Sequence, residues 1–307
     1  MKKRIAVGII CILAAGGAWA QQHALYSQYM FNLFAINPGY AGSRKAISAV
    51  LLHRNQWSGI DGAPKSETFS IHGPIADKNM GLGFNLVNDL IGPSSNLGAL
   101  LTYAYHLPLE KGKLSMSLRG GIYRHQMDGS LLNYKEKQEF PGSAITGEIS
   151  PSVDFGLYYY TYNLYAGFTV TDLIPIETKY EFDADHFLVQ YLLRHYMLMG
   201  GYAHMVNENL VLKPSFAVKY VAGAPVNADV NFSCLLNKMV WLGLSYRTSQ
   251  DLVFIGEVNI WQFMRVGASY DLGLNDLQQY SNGAFEVFLG ADFNISKIAK
   301  PKTRNLF

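Results

Sequence analysis

The stretch Leu114-Ser-Met-Ser-Leu-Arg-Gly-Gly-Ile122 places apolar and polar residues at alternating positions. In an extended chain one face then carries apolar side chains, those of Leu114, Met116, Leu118 and Ile122. The other face carries the polar side chains of Ser115, Ser117 and Arg119. A period of two residues is typical of a β-strand, because successive side chains in a strand point to opposite faces. The same alternation recurs in 226–235, 262–272 and 283–294.

About fourteen such segments follow one another between residues 44 and 294. Each is roughly ten residues long, the length that a tilted strand needs to cross a membrane. Their connections tend to alternate between long and short, and the long ones include 54–65, 125–149, 172–193 and 273–282. In lipid a sheet must close on itself so that every backbone group is paired. The pattern predicts an all-β protein, a transmembrane antiparallel β-barrel of about 14 strands over residues 44–294.

The N-terminus has the pattern of an export signal. Three basic residues precede an apolar stretch, and Ala18-Trp-Ala20 forms a small-x-small cleavage site, so we predict a signal peptide at 1–20. Its removal leaves 22 basic and 23 acidic residues, which excludes the positive charge typical of nucleic-acid binding. No later run of about 18 apolar residues exists, so a helical transporter is excluded. The predicted location is the bacterial outer membrane.

The polar faces of the segments carry charges of both signs in equal number. The predicted inward-facing set is Arg119, Lys213, Lys219, Arg247 and Arg265 with Asp229, Glu257, Asp271, Glu286 and Asp292. Such a balance favours ion pairing inside the barrel over an ion-selective pore.

Aromatic residues near the segment ends predict girdles at the two membrane interfaces. The predicted girdle residues are Tyr103, Tyr105, Tyr158, Tyr159, Tyr160, Tyr162, Tyr165, Tyr246, Trp241, Trp261 and Phe293.

Residues 21–43, before the first segment, break the strand pattern. Apolar and aromatic residues recur at helical spacing, at Tyr26, Tyr29, Met30, Leu33 and Phe34. Asn37-Pro-Gly39 then predicts a turn. We expect a short aromatic helix ahead of the first strand. Three roles are open at this point: it could plug the lumen or its periplasmic mouth, dock a partner, or lie on the membrane surface.

No motif points to catalysis, a cofactor or a metal. Gly81-Leu-Gly83 lacks the third glycine of a dinucleotide-binding loop and lies within a strand segment. The Gly-x-Ser-x-Gly motif of serine hydrolases does not occur. The sequence therefore predicts a protein that is not an enzyme.

Five stretches between residues 26 and 105 carry specific motifs: Tyr26-Ser-Gln-Tyr-Met-Phe-Asn32, Ile36-Asn-Pro-Gly-Tyr-Ala-Gly42, Arg54-Asn-Gln-Trp-Ser-Gly-Ile-Asp-Gly-Ala-Pro-Lys65 with Thr68-Phe-Ser70, Asn88-Asp-Leu-Ile-Gly-Pro93 and Tyr103-Ala-Tyr105. With them the chain resembles the PorP/SprF family of the type IX secretion system of Bacteroidota. The basic tail, 295–307, departs from the usual Ser-Pro-Arg-Tyr-Phe ending of that family.

The resemblance implies an outer-membrane barrel that helps to export or surface-attach specific cargo, including gliding adhesins with type B C-terminal domains. Implied partners are outer-membrane lipid, the cargo C-terminal domain, the translocon, and periplasmic ring or lipoprotein components. A general porin or small-solute channel is the alternative. The candidate partner-binding residues lie in the aromatic segment and in loop 54–65: Tyr26, Tyr29, Phe31, Asn37, Pro38, Tyr40, Arg54, Asn55, Gln56, Trp57 and Asp61.

Overall fold

The computed structural model describes residues 26–75, 78–131, 145–181, 187–261 and 263–294. The predicted signal peptide, the basic tail and the central parts of the two longest loops lie outside the described residues.

The described chain contains three short helical turns at its start, Tyr29–Phe31, Leu33–Ile36 and Pro38–Tyr40, and two further 3-10 turns, Gly129–Leu131 and Asp276–Gln279. Its strands are β1 Ala46–Asn55, β2 Lys65–Pro74, β3 Met80–Ile91, β4 Ser94–Leu109, β5 Gly112–Asp128, β6 Ile145–Tyr160, β7 Leu164–Thr171, β8 Ile176–Glu181, β9 Phe187–Leu192, β10 His195–Tyr202, β11 His204–Asn207, β12 Leu210–Val221, β13 Asn227–Leu236, β14 Val240–Arg247, β15 Asp251–Asn259, β16 Met264–Gly273 and β17 Ala284–Asn294.

The strands form one closed antiparallel barrel. The first and last strands, β1 and β17, pair over their whole length, from Ala46 opposite Asn294 to Asn55 opposite Phe285. Strand β10 pairs with both β7 and β12, which completes the ring. Strand β11 continues β10 beyond Ala203 along the same partner, β12, while β8 and β9 form a separate hairpin. The wall therefore has 14 strand positions, and the predicted barrel is confirmed.

Burial in this barrel is inverted relative to a water-soluble protein. Leu101 is 69% exposed and Val230 63% exposed, whereas their sequence neighbours Thr102 and Asn231 are almost fully buried. The apolar side of each strand thus points outward, and the polar side points into the lumen. Apolar side chains on the outer surface suit a wall surrounded by lipid. The closed ring suits lipid as well, because it leaves no strand edge unpaired. Among the described residues, no helix has the length and apolar character to span a membrane.

The two ends of the barrel differ in the length of their connections. One end has the short turns 75–79, 110–111, 161–163, 208–209, 237–239 and 260–263, and β1 starts and β17 stops there. The other end has the loops 56–64, 92–93, 129–144, 172–194, 222–226, 248–250 and 274–283. Outer-membrane barrels keep short turns in the periplasm and longer loops outside. We therefore refer to these ends as the inner mouth and the outer mouth.

The helical segment predicted before β1 is present as three short turns rather than one continuous helix, because the backbone leaves helical geometry at Asn32, with φ −137°, and again at Asn37. Part of the predicted aromatic girdle is wrong. In the aromatic set, Tyr158, Tyr165 and Trp241 point into the lumen and are buried, so they do not belong to a membrane girdle. Other members of that set are exposed on the barrel: Tyr103, Tyr105, Tyr162, Tyr246, Trp261 and Phe293.

Candidate functional site

The lumen is occupied by the chain's own N-terminal segment, residues 26–43, here called the plug. Its side chains are buried on every side rather than along one face; Phe34 is completely buried, and Met30 is only 2% exposed. The wall is shaped to receive it, since a Cβ added to Gly83 of β3 would lie 2.3 Å from the ring of Phe34. Glycine at this position thus permits the close approach of ring and wall.

The outer end of the plug is held by buried charges of the wall. The backbone N–H groups of Ser27 and Gln28 each donate to the carboxylate of Glu286 at 2.8 Å. Arg54 lies 3.2 Å from the same carboxylate and 2.7 Å from Asp271. The Arg54 guanidinium also donates to the Ser27 hydroxyl at 2.8 Å. Charge-assisted hydrogen bonds of this kind are the stronger ones in proteins, so this cluster fixes the start of the plug.

Neighbouring groups add further hydrogen bonds at the outer end of the plug. The Ser27 hydroxyl donates to Asp271 at 2.6 Å, and Arg247 bonds Asp229 at 2.8 Å beside it. The Tyr26 hydroxyl lies 2.9 Å from that of Thr68. Burial raises the pKa of Tyr26 above its usual range, which further favours the neutral hydroxyl, and this group can donate or accept a hydrogen bond.

In its middle the plug offers backbone carbonyls to arginines of the wall. Arg265 donates to the carbonyl of Phe31 at 2.9 Å, and Arg119 to the carbonyl of Ala35 at 3.3 Å. The Lys213 ammonium lies 5.1 Å from the ring centre of Phe31 and 4.5 Å from that of Trp241. Because short helical turns leave carbonyls without intrahelical partners, Arg265 and Arg119 satisfy groups that burial would otherwise penalise.

The inner end of the plug is held by Asn37 and Tyr40. The Asn37 amide donates to the carbonyl of Leu157 at 3.0 Å and accepts the N–H of Gly39 at 2.8 Å. The Arg44 guanidinium donates to the Tyr40 hydroxyl at 2.8 Å and to both oxygens of Asp292 at 2.9 Å. Burial lowers the pKa of Arg44, but Asp292, Tyr40 and Glu257 together outweigh burial and hold that pKa above its usual range.

Ion pairing in the lumen extends the set that the sequence predicts. Predicted members pair as Arg247 with Asp229 and Arg265 with Glu257. Arg119 pairs with Asp154 at 2.7 Å, and the sequence prediction missed Asp154 although Ser150 and Ser152 share its face of β6. Lys219 is only half-buried. The lumen is therefore a network of paired charges, as their balance predicted.

The candidate partner-binding residues separate into two groups. Tyr26, Tyr29, Phe31, Asn37, Pro38 and Tyr40 are all buried in the plug. The sequence prediction of a loop at 54–65 is wrong for Arg54 and Asn55, because both belong to β1, and Arg54 points into the lumen. Asn55 and Gln56 are half-buried at the outer mouth, whereas Trp57 and Asp61 are exposed there.

The backbone of loop 56–64 is hydrogen-bonded to a neighbouring loop. Trp57 adopts a φ of +52°, uncommon for a residue with a bulky side chain, and is 41% exposed. Ser58 exchanges backbone hydrogen bonds with Asn282 and Gly283 at 2.7 and 2.8 Å. These contacts hold the Trp57 side chain at the outer surface.

The described lumen offers no metal-binding arrangement. Within the described ranges, no group of three or more His, Cys, Asp or Glu side chains could hold a metal ion. A cavity of about 100 Å³ remains between the plug and the wall, and its lining includes Arg119, Asp154 and Lys219.

Solved structures similar to this chain are outer-membrane barrels. A FadL homologue from Pseudomonas aeruginosa shares 10% identity with a TM-score of 0.46, covering 82% of this chain and 89% of its own. The translocator domain of the autotransporter NalP from Neisseria meningitidis shares 10% identity with a TM-score of 0.46, covering 81% and 87%. The toluene transporter TodX from Pseudomonas putida shares 12% identity with a TM-score of 0.46, covering 91% and 96%. At these values neither substrate nor activity carries over to this chain.

Sequence comparison gives a more specific result. No curated protein sequence matches the chain. The sequence profile described as type IX secretion system membrane protein PorP/SprF matches residues 18–291, which is most of the chain. A member of that family with a closed barrel and an apolar outer wall is an outer-membrane component of type IX secretion. The chain belongs to the PorP/SprF family of type IX secretion system membrane proteins.

Proposed function

We propose that this protein is a non-catalytic scaffold that assists the export or surface anchoring of specific type IX cargo, namely gliding-adhesin-like proteins with type B C-terminal domains. One observation supports this role above the others: the lumen is filled by the protein's own plug, which buried charges bind at both ends. A barrel filled in this way suits the holding of a partner better than the passage of solutes.

The paired lumenal charges weigh against the alternative, a porin or small-solute channel. A selective pore needs charged groups that face a continuous water path. Here Arg54, Arg119 and Arg247 are each bound to a carboxylate within 2.8 Å. The plug and these pairs together obstruct such a path through the described part of the barrel.

The outer mouth supplies the surface for cargo in this proposal. Trp57 combines exposed aromatic area with a backbone fixed by neighbouring loops, and fixed aromatic side chains are favoured binding anchors. Cargo that has crossed the outer membrane would meet this surface first.

The test is co-purification of a secreted adhesin's C-terminal domain with the intact barrel. We expect capture by the unaltered protein and loss of most capture in Trp57→Ala. The matched control is Trp261→Ala, which removes an exposed tryptophan at the inner mouth and should leave capture unchanged. Absence of capture by the unaltered protein, together with normal surface display in cells that lack the gene, would contradict the proposed function.

A further inference from the structure

A groove of about 340 Å³ opens at the inner mouth, beside the point where the plug leaves the lumen. One wall is the end of the plug, with Tyr40, and the link from the plug to β1, with Lys45. The opposite wall is the β4–β5 hairpin, with Lys111 in its turn and Lys113 in β5, together with Tyr160 at the end of β6 and Tyr162 in the turn that follows. We call these six residues the inner groove.

The opposite wall projects beyond the neighbouring strand. Strands β4 and β5 pair as far as Leu109 opposite Gly112, whereas β3 pairs with β4 only as far as Met80 opposite Tyr105. Strand β6 follows the extension, with Tyr160 opposite Lys113. This raised hairpin gives the inner groove a side wall on the periplasmic side.

The inner groove has a surplus of positive charge. None of the described residues that line it is acidic, and Arg44 at its base is neutralised by Asp292. Lys45 and Lys111 are exposed, and Lys113 donates a long hydrogen bond to the side-chain oxygen of Asn79, at 3.4 Å. Three lysines therefore line a shared space that has no carboxylate among its described lining residues, since Glu110 of the adjoining turn is not one of them.

The inner groove also has an aromatic floor. Tyr158 lies beneath it, stacked on Tyr160 with ring centres 5.5 Å apart, and Tyr40 meets the edge of Tyr158 at 5.3 Å. Tyrosine rings present apolar area together with a hydroxyl group, a combination common in protein interfaces. Cations above tyrosines fit a segment that carries carboxylates and also some apolar side chains.

The position of the floor favours a peptide over a lipid head group. Tyr40 and Tyr158 face the lumen and are buried, so the floor lies inside the ring of strands. Lipids of the surrounding leaflet contact the opposite face of the same wall. The chain's own tail is also unsuited to the groove, because residues 295–307 contain basic residues and no acidic ones.

We infer that the inner groove binds an acidic peptide segment of a partner protein on the periplasmic side. Any part that this partner plays in secretion rests on the proposed function, whereas the chemistry of the groove does not. Attraction between exposed charges is screened by salt, so binding weakens as ionic strength rises.

The direct test measures the fluorescence anisotropy of labelled hexaglutamate with the full-length protein in detergent. The charge-reversed variant combines Lys45→Glu, Lys111→Glu and Lys113→Glu, and we expect its Kd to rise at least about tenfold. A second variant with arginine at the same three positions should bind as the unaltered protein does. Heat-modifiable migration in gels verifies that each variant is a folded barrel.

A matched triple variant tests whether the position of the charges matters. Lys65→Glu, Lys179→Glu and Lys238→Glu reverse three exposed lysines outside the groove, and binding should remain within about twofold. Equal loss in this variant, or no binding by the unaltered protein, would overturn the proposal. Binding only to phosphatidylglycerol vesicles and not to the peptide would overturn it as well, in favour of lipid.

A cellular measurement separates this inference from the proposed function. Cells that carry the charge-reversed groove should show reduced surface display of cargo with a normal amount of barrel. If hexaglutamate binds as expected while cells without the gene display cargo normally, the peptide-binding role of the inner groove is supported and the proposed role in secretion is contradicted.

Discussion

The substitution Glu286→Gln tests whether buried charge holds the plug. Glu286 is fully buried and accepts the backbone N–H groups of Ser27 and Gln28 while it pairs with Arg54. Glutamine is nearly isosteric but neutral, and its NH₂ group cannot accept a hydrogen bond. The variant therefore keeps the shape of the site, removes the negative charge and turns one acceptor into a donor.

The size of the effect follows from the distances. Opposite charges 3.2 Å apart attract by about 5 kcal/mol at an effective dielectric constant of about 20. Breaking a buried pair by removal of one partner costs about 3 to 5 kcal/mol. Arg54 keeps Asp271 at 2.7 Å, so we take the lower end, about 3 kcal/mol. The population of molecules with a released plug should then rise about 100-fold.

The assay measures the reaction of a thiol on the plug with a membrane-impermeable maleimide. Met30→Cys places the thiol where the side chain is 2% exposed. Cys234→Ser removes the one native thiol outside the predicted signal peptide, which contains Cys11. Labelling then reports the fraction of molecules in which the plug has left its site. The control is Glu67→Gln, whose side chain is 58% exposed. A labelling rate for Glu286→Gln within about twofold of the control would refute the reasoning.

Two further predictions concern the wall. Gly83→Ala places a methyl group 2.3 Å from the ring of Phe34 and should destabilise the bound plug by about 1 to 3 kcal/mol. The plug thiol should then be labelled faster. The control is Gly256→Ala, where nothing lies within 4 Å of the added methyl group, and it should not change the labelling rate. Leu101→Arg puts a charge on the lipid-facing side and should lower the unfolding free energy in bilayers by about 2 to 4 kcal/mol. Leu131→Arg, exposed in a loop, should change it by less than about 0.5 kcal/mol, and similar costs for the two would argue against the assigned lipid face.

The barrel could be predicted because each wall strand has lipid on its outer side and polar groups on its inner side. Apolar and polar residues therefore alternate along every wall strand. The hairpin of β8 and β9 was not predicted, since it lies in a loop that lipid does not constrain. The conformation of the plug was even harder to predict. Helical spacing identifies one buried face, but a segment enclosed by a barrel is buried all round, so periodicity could not give its conformation.

Errors at single residues have similar physical causes. The position of Trp241 near a strand end predicts a girdle residue. Burial alternates along β14, however, and because Leu242 is exposed on the outer face, Trp241 lies on the lumenal face. The sequence places Arg54 in a loop because its alternation predicts that β1 ends two positions before the observed end at Asn55. The pairing of Arg54 with Asp271 and Glu286 joins residues more than 200 positions apart, which no local pattern reveals.

The central claim is that the barrel is closed by its own plug and acts as a scaffold. Conductance of the purified full-length protein in planar bilayers tests this most directly, with the Glu286→Gln variant measured beside it. The account predicts no steady conductance for the unaltered protein and intermittent openings for the variant. A large, steady conductance of the unaltered protein would contradict the account and identify the barrel as a pore.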